Sequence, residues 1–168
     1  MSDLEAIITL RAELVNDAAA LVRVLERIRT APEKLRTLSS PDSSVAAAAF
    51  EIHNYYSVSE NLMRRVAVAF ENALDPTTWH KHHVARMSLE IPGIRPALVD
   101  PGLRARLDEL RKFRHFFRNI YDRQLIPGKV ADILDLLLGA HGPWRKAIER
   151  FSGWLDDLAN RMRNGPSS

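Results

Sequence analysis

Apolar side chains return every third or fourth residue along nearly the whole chain, and no stretch shows the strict alternation that a half-buried strand requires. Leu4, Ile7, Leu14, Ala18, Leu21, Leu25 and Ile28 make the first such stripe, which at 3.6 residues per turn is one face of a helix. Val130, Ile133, Leu134, Leu137, Leu138, Ile148, Phe151, Trp154, Leu155 and Leu158 make another near the C-terminus. With no strand-turn-strand signal and no repeat of fixed period, the pattern specifies an all-α up-and-down helical bundle of about five helices.

Proline and turn residues divide the stripes. Thr30-Ala31-Pro32 closes the first helix, and the polar run Ser39-Ser40-Pro41-Asp42-Ser43-Ser44 precedes an alanine-rich segment of high helix propensity, expected to run from about Val45 to Leu74. Thr77 or Thr78 can cap a shorter helix that carries Trp79, His80, His82, His83 and Met87. Ile91-Pro92-Gly93-Ile94-Arg95-Pro96 cannot continue a helix, because proline lacks an amide proton and clashes with the preceding turn. Asp100-Pro101 then reads as a cap followed by proline at the first helical position, opening a helix expected to stop near Leu125. Gly139-Ala140-His141-Gly142-Pro143 should interrupt or kink the final helix. Residues 1–163 are expected to form one domain and residues 164–168 a flexible tail.

Composition narrows the chemistry. The 168 residues are enough to bury a hydrophobic core. The absence of cysteine excludes disulfides, thiol nucleophiles and cysteine-held zinc, and fits a reducing cytoplasm. No apolar run reaches the length of a membrane span or a secretory signal, so a soluble cytoplasmic protein without a membrane partner is expected. The net charge of +3 says little by itself, but the six Lys and Arg residues between Arg104 and Arg118 face only Asp108 and Glu109. The basic character is local.

Its centre is Arg111-Lys112-Phe113-Arg114-His115-Phe116-Phe117-Arg118-Asn119-Ile120-Tyr121. At helical spacing Arg114, Arg118 and Tyr121 stand at i, i+4 and i+7, with His115 and Asn119 in the adjacent row, while Phe113, Phe117 and Ile120 point toward a core. Guanidinium forks bind phosphate oxygens and imidazole exchanges protons near neutrality, so the block suits RNA or a nucleotide. A solvated basic face is the alternative reading.

His53, Tyr56 and Glu60 occupy i, i+3 and i+7 in the alanine-rich helix, where an apolar stripe would be expected. They read either as a buried polar network or, with Glu60 reaching an arginine of the basic helix, as support for a site. In Trp79-His80-Lys81-His82-His83 only His80 and His83 share a face, and no suitably spaced carboxylate accompanies them. No metal is expected there. Paired acids, a glycine-rich phosphate loop and a nucleophile elbow are all missing from the sequence, so no cofactor is expected and hydrolase, kinase or dehydrogenase chemistry of those types is unsupported.

Ile52-His53-Asn54-Tyr55-Tyr56 with Glu60, then Trp79-His80, then Ile91-Pro92-Gly93-Ile94-Arg95-Pro96, and finally Phe113 to Tyr121, taken in this order, resemble the HepT-like subgroup of the HEPN family. The resemblance implies a HEPN-like helical domain, a metal-independent ribonuclease that leaves a cyclic phosphate, a homodimer, and a nucleotidyltransferase-type antitoxin as partner. Laid onto the family's arginine–histidine–tyrosine motif, Arg114 and Tyr121 match, while the histidine place falls on Asn119. An amide holds a phosphate oxygen but does not exchange protons at neutral pH. By this resemblance Arg114 and Arg118 stabilise transition-state charge, His115 moves the proton, Asn119 holds phosphate and Tyr121 contacts the nucleotide. Arg111, Lys112, His53, Tyr56, Glu60 and His80 support the RNA. The departure at Asn119 leaves a second function open: a catalytically silent HEPN protein that binds RNA, a nucleotide or a protein partner through the same residues.

Overall fold

A computed structural model describes residues 2–71, 76–120 and 124–165, and of residues 76–81 the backbone alone. Among these residues there are six helices: α1 (Asp3–Ile28), α2 (Ala31–Arg36), α3 (Ser43–Glu71), α4 (Pro76–Met87), α5 (Pro101–Arg118) and α6 (Pro127–Asn164). The all-α bundle expected from the stripes is what the chain forms. No helix among the described residues is long and apolar enough to cross a membrane.

Local chemistry fixes the helix ends. Ser2 and Glu5 form a reciprocal capping box on α1, with the Glu5 amide donating to Ser2 Oγ and the Ser2 amide to Glu5 Oε2. The Asp100 carboxylate accepts the Leu103 amide at 2.9 Å ahead of Pro101, the cap and first-turn proline read from the sequence. The break at Thr30-Ala31-Pro32 does close α1, but it also opens the short α2, since a proline in a first turn removes an amide that has no helical partner anyway. α4 begins at Pro76, so Thr77 and Thr78 lie inside its first turn rather than before it.

Two expectations about length are corrected. α5 ends at Arg118, not near Leu125: Asn119 is its C-cap, and its side-chain Nδ2 donates to the His115 carbonyl at 2.7 Å. α6 runs unbroken through Pro143 to Asn164, one residue into the expected tail. Pro143 lacks the amide that would bond the Gly139 carbonyl four residues earlier. Arg106 of α5 takes that carbonyl instead, donating from Nη1 at 2.6 Å, so the ladder loses one internal bond without leaving its acceptor empty.

α3 is the hub, packed against each of the other five helices. Its buried face carries Ile52, Leu62, Met63 and Val66 but also Tyr55, Tyr56, Ser59 and Glu60. Trp144 of α6 is fully buried against it, and its indole N–H donates to Ser59 Oγ at 3.0 Å. Tyr55 OH lies 3.0 Å from His141 Nδ1, a second polar tie from α3 to α6. These bonds satisfy polar groups that burial would otherwise penalise.

The loop after α4 is pinned by Arg95. Its side chain is fully buried beside Glu71, with Nη2 2.5 Å from Glu71 Oε1, and it also donates to the carbonyls of Arg86, Leu89 and Pro96. Gly93 sits at φ 76°, a left-handed conformation that glycine adopts without steric cost, which turns the chain between Ile91 and the returning Arg95. Leu98 and Val99 donate their amides to the Met87 carbonyl, closing the end of α4 and delivering the chain to α5.

Candidate functional site

α3, α4 and α5 meet over a polar cluster inside an otherwise apolar interface. Glu60 is nearly buried, and its carboxylate pairs with the Arg114 guanidinium from α5. That guanidinium lies over the Tyr56 ring, its Cζ 5.8 Å from the ring centroid, a position in which the aromatic face attracts a cation. Tyr56 OH in turn shares a 2.6 Å hydrogen bond with Nε2 of the fully buried His83 on α4. Three side chains from α3 and α4 thus hold one arginine of α5.

His53 completes the group. Its ring lies between Phe50, stacked at 6.4 Å, and Phe117 of α5, tilted at 5.9 Å between centroids. Burial of the ring, the Arg114 charge and the Arg118 charge all push its pKa below the ordinary histidine value, against a pull upward from Glu60. The imidazole is therefore neutral at neutral pH. Its Nδ1 is buried without a hydrogen-bond partner among the described residues, and so is Nε of Arg114. Buried polar atoms are nearly always paired in a finished core. Both of these unpaired atoms lie near the exposed Arg118, whose charge acts on the His53 ring.

Tyr56 is held protonated. Burial and the nearby Glu60 charge raise its pKa well above the phenolic range, while Arg111 and Arg114 pull the other way. It acts as a hydrogen-bonding strut and not as an acid.

The sequence-derived candidates divide accordingly. His53, Tyr56, Glu60, Arg114 and Arg118 come together, and Arg111 lies close enough for its charge to act on Tyr56, although its Nε is bonded to Asp108 at 2.7 Å. Lys112 does not join them: it pairs with Glu109 and Asp108 and lines a separate groove with Phe113 and Phe116. The helical rows expected to align His115 with Asn119 are broken by the end of α5. Asn119 turns its amide back to its own helix, and His115 is exposed with no side-chain bond among the described residues. The imidazole that meets the arginines belongs to α3. Tyr121 and the side chain of His80 lie outside the described residues.

His83 was read only as a partner for His80. Its place next to the buried Val84 and four residues before the buried Met87 marks an inward position, and an inward histidine calls for a polar partner. Among the described residues no three His, Asp or Glu side chains converge as metal ligands.

Residues 47–155, spanning α3 to most of α6, match a family described as HepT-like protein. No curated protein and no solved structure matches the chain.

Proposed function

Because this chain belongs to the HepT-like proteins of the HEPN family, we propose that the α3–α5 site binds RNA by its phosphodiester backbone and cleaves it without a metal ion. The observation that carries the reading is the fixed Arg114 with the neutral, unpartnered His53 beside it. A phosphodiester needs donors for its charged oxygens and a proton acceptor near its 2′-hydroxyl, and these two side chains offer both.

The 2′-oxygen attacks the adjacent phosphorus, and its proton passes to His53. The bond to the 5′-oxygen breaks, leaving a 2′,3′-cyclic phosphate and a 5′-hydroxyl that takes its proton from water. Arg114 and Arg118 stabilise the negative charge that grows on the phosphoryl oxygens. Glu60 and Tyr56 hold Arg114 in place before substrate arrives, so little reorganisation is needed as the charge develops. Such a protein works as the ribonuclease of a toxin–antitoxin pair, with a nucleotidyltransferase-type protein as its antitoxin.

A silent RNA-binding form is the second reading, favoured by one observation: Asn119 and His115 of α5 do not face the arginine they accompany in sequence. Incubation of the purified protein with tRNA and total RNA in EDTA separates the two. Cyclic-phosphate products that vanish in Arg114→Ala and in His53→Gln support the enzyme. Binding without products, with Arg114→Ala weakening it, supports the silent form, and intact binding and cleavage in Arg114→Ala would remove the site from either role.

A further inference from the structure

Where the end of α1, the short α2 and the first turns of α3 meet, a cleft of about 340 Å³ opens, at the small end of the range that ligand pockets occupy. Phe50 lines it and is 53% exposed. The same ring stacks on His53, with 6.4 Å between centroids and 23° between planes. A lone exposed apolar side chain is ordinary at a protein surface. This one borders both the cleft and the imidazole on which the charges of Arg114 and Arg118 act.

Most polar groups of the cleft are committed to one another. Arg27 and Glu51 hold each other through two 2.8 Å hydrogen bonds, and Asn54 donates a further one to the Glu51 carboxylate. Ser44 gives both its amide and its hydroxyl to Asp42. Lys34 is exposed and forms no ion pair among the described residues, although its charge acts on Asp42. Thr30 precedes α2 as its N-cap residue without a side-chain capping bond. What stays available is an aromatic face, an ammonium and a hydroxyl above a floor of Ile28, Leu35 and Ala48. Those are the chemistries that a base, a phosphate and a ribose call for, since every base has a π-face to stack and every phosphate a charge to neutralise.

We infer that this cleft is a subsite for the nucleotide adjoining the scissile phosphodiester, with its base on Phe50, its outer phosphate at Lys34 and its ribose at Thr30. The inference rests on the reading of the Arg114 site as an RNA site and extends it by one nucleotide. One ring contact separates the two places, so a strand whose 2′-hydroxyl lies at His53 brings its neighbouring base to Phe50. That base has to be unpaired, because a duplex keeps the faces of its bases to itself. Lys34 and Thr30 lie outside residues 47–155, so the subsite reaches beyond the part of the chain that matches the family.

Fluorescence anisotropy with a short, labelled 2′-O-methyl oligouridylate tests it, since the methylated strand binds without being cut. Phe50→Ala should weaken binding by about tenfold, the worth of one stacked base, and Phe50→Trp should restore it. Lys34→Ala should weaken binding and lower the slope of log affinity against log salt by about 0.7, one phosphate contact to a single strand. Both side chains are exposed, so the unfolding midpoint should not move. A strand carrying 5-iodouridine should cross-link under ultraviolet light to the peptide that holds Phe50. Binding that Arg114→Ala weakens and neither cleft variant touches would overturn the subsite and leave the Arg114 site standing. Loss in the cleft variants with none in Arg114→Ala would support the cleft as a nucleotide site and remove the Arg114 site instead. AMP that displaces the strand at the strand's own affinity would assign the cleft to a free nucleotide and overturn the inference, as would a wild type that binds no strand.

Discussion

Arg106 of α5 donates from Nη1 to the Gly139 carbonyl of α6 at 2.6 Å, the acceptor that Pro143 leaves without its helical amide. The proline defect and the arginine that answers it sit on different helices, so the bond also ties α5 to α6 just before Trp144 enters the core. Arg106→Ala should cost about 1 kcal/mol, the ordinary net worth of one hydrogen bond. In a Pro143→Ala background the cost should shrink, because the restored amide can take the same carbonyl. A double-substitution cycle by urea denaturation reads the coupling, and equal costs in both backgrounds would show the two residues to be independent.

Glu71 and Arg95 form a pair whose side chains are 3% and 0% exposed. Removing one partner of a buried ion pair strands the other charge, so Glu71→Ala should lower stability by about 3 kcal/mol. Arg95→Met should cost at least as much, because it also strips donors from the carbonyls of Arg86, Leu89 and Pro96. Chemical denaturation of both variants checks the order. A smaller loss in Arg95→Met than in Glu71→Ala would mean that the loop carbonyls find water.

How far these relations can be read without coordinates depends on their range along the chain. The helices, the Asp100-Pro101 start and the polar positions His53, Tyr56 and Glu60 are local patterns, and they are legible because periodicity and capping are local rules. The extent of α5 is not: Phe116-Phe117-Arg118-Asn119-Ile120 continues the helical pattern, but Asn119 uses its amide to stop it. Pro143 is misleading for the opposite reason. A proline predicts a break, and the side chain that compensates lies 33 residues from the Gly139 carbonyl it takes. The site shows the same limit, since the imidazole next in sequence to Arg114 is His115 and the one next in space is His53. Nothing in the spacing of α5 names its neighbour on α3.

Glu60 restrains Arg114 and also offsets its charge, and these effects have opposite signs for RNA. Glu60→Gln should keep RNA affinity or tighten it, since one phosphate-facing cation is no longer shared, and the dependence of binding on salt should steepen. Cleavage should fall by about tenfold or more, because Arg114 is no longer held for the transition state. A drop in kcat with KM unchanged or lowered identifies Glu60 as a positioning residue. A parallel loss of binding would mean that Glu60 only keeps the protein folded, and the unfolding midpoint separates these outcomes.

His53 and His141 are both held below the ordinary histidine pKa of 6.5, His53 by burial and the charges of Arg114 and Arg118, His141 by burial and the charge of Arg145. The unfolded chain therefore binds protons at a higher pH than the folded one, and stability must fall as pH drops through about 6.5, levelling off below the folded values. His53→Gln should flatten part of that slope, and His141→Gln another part, while stability at pH 8 changes by less. If His53 accepts the 2′-hydroxyl proton, cleavage should show an acid limb whose midpoint lies below 6.5, because only the neutral ring can act. Arg118→Ala removes one of the charges that depress His53, so it should move that midpoint upward. Urea titrations across pH follow the first effect and kcat/KM profiles the second. An acid limb that stays put in Arg118→Ala would detach the proton acceptor from His53.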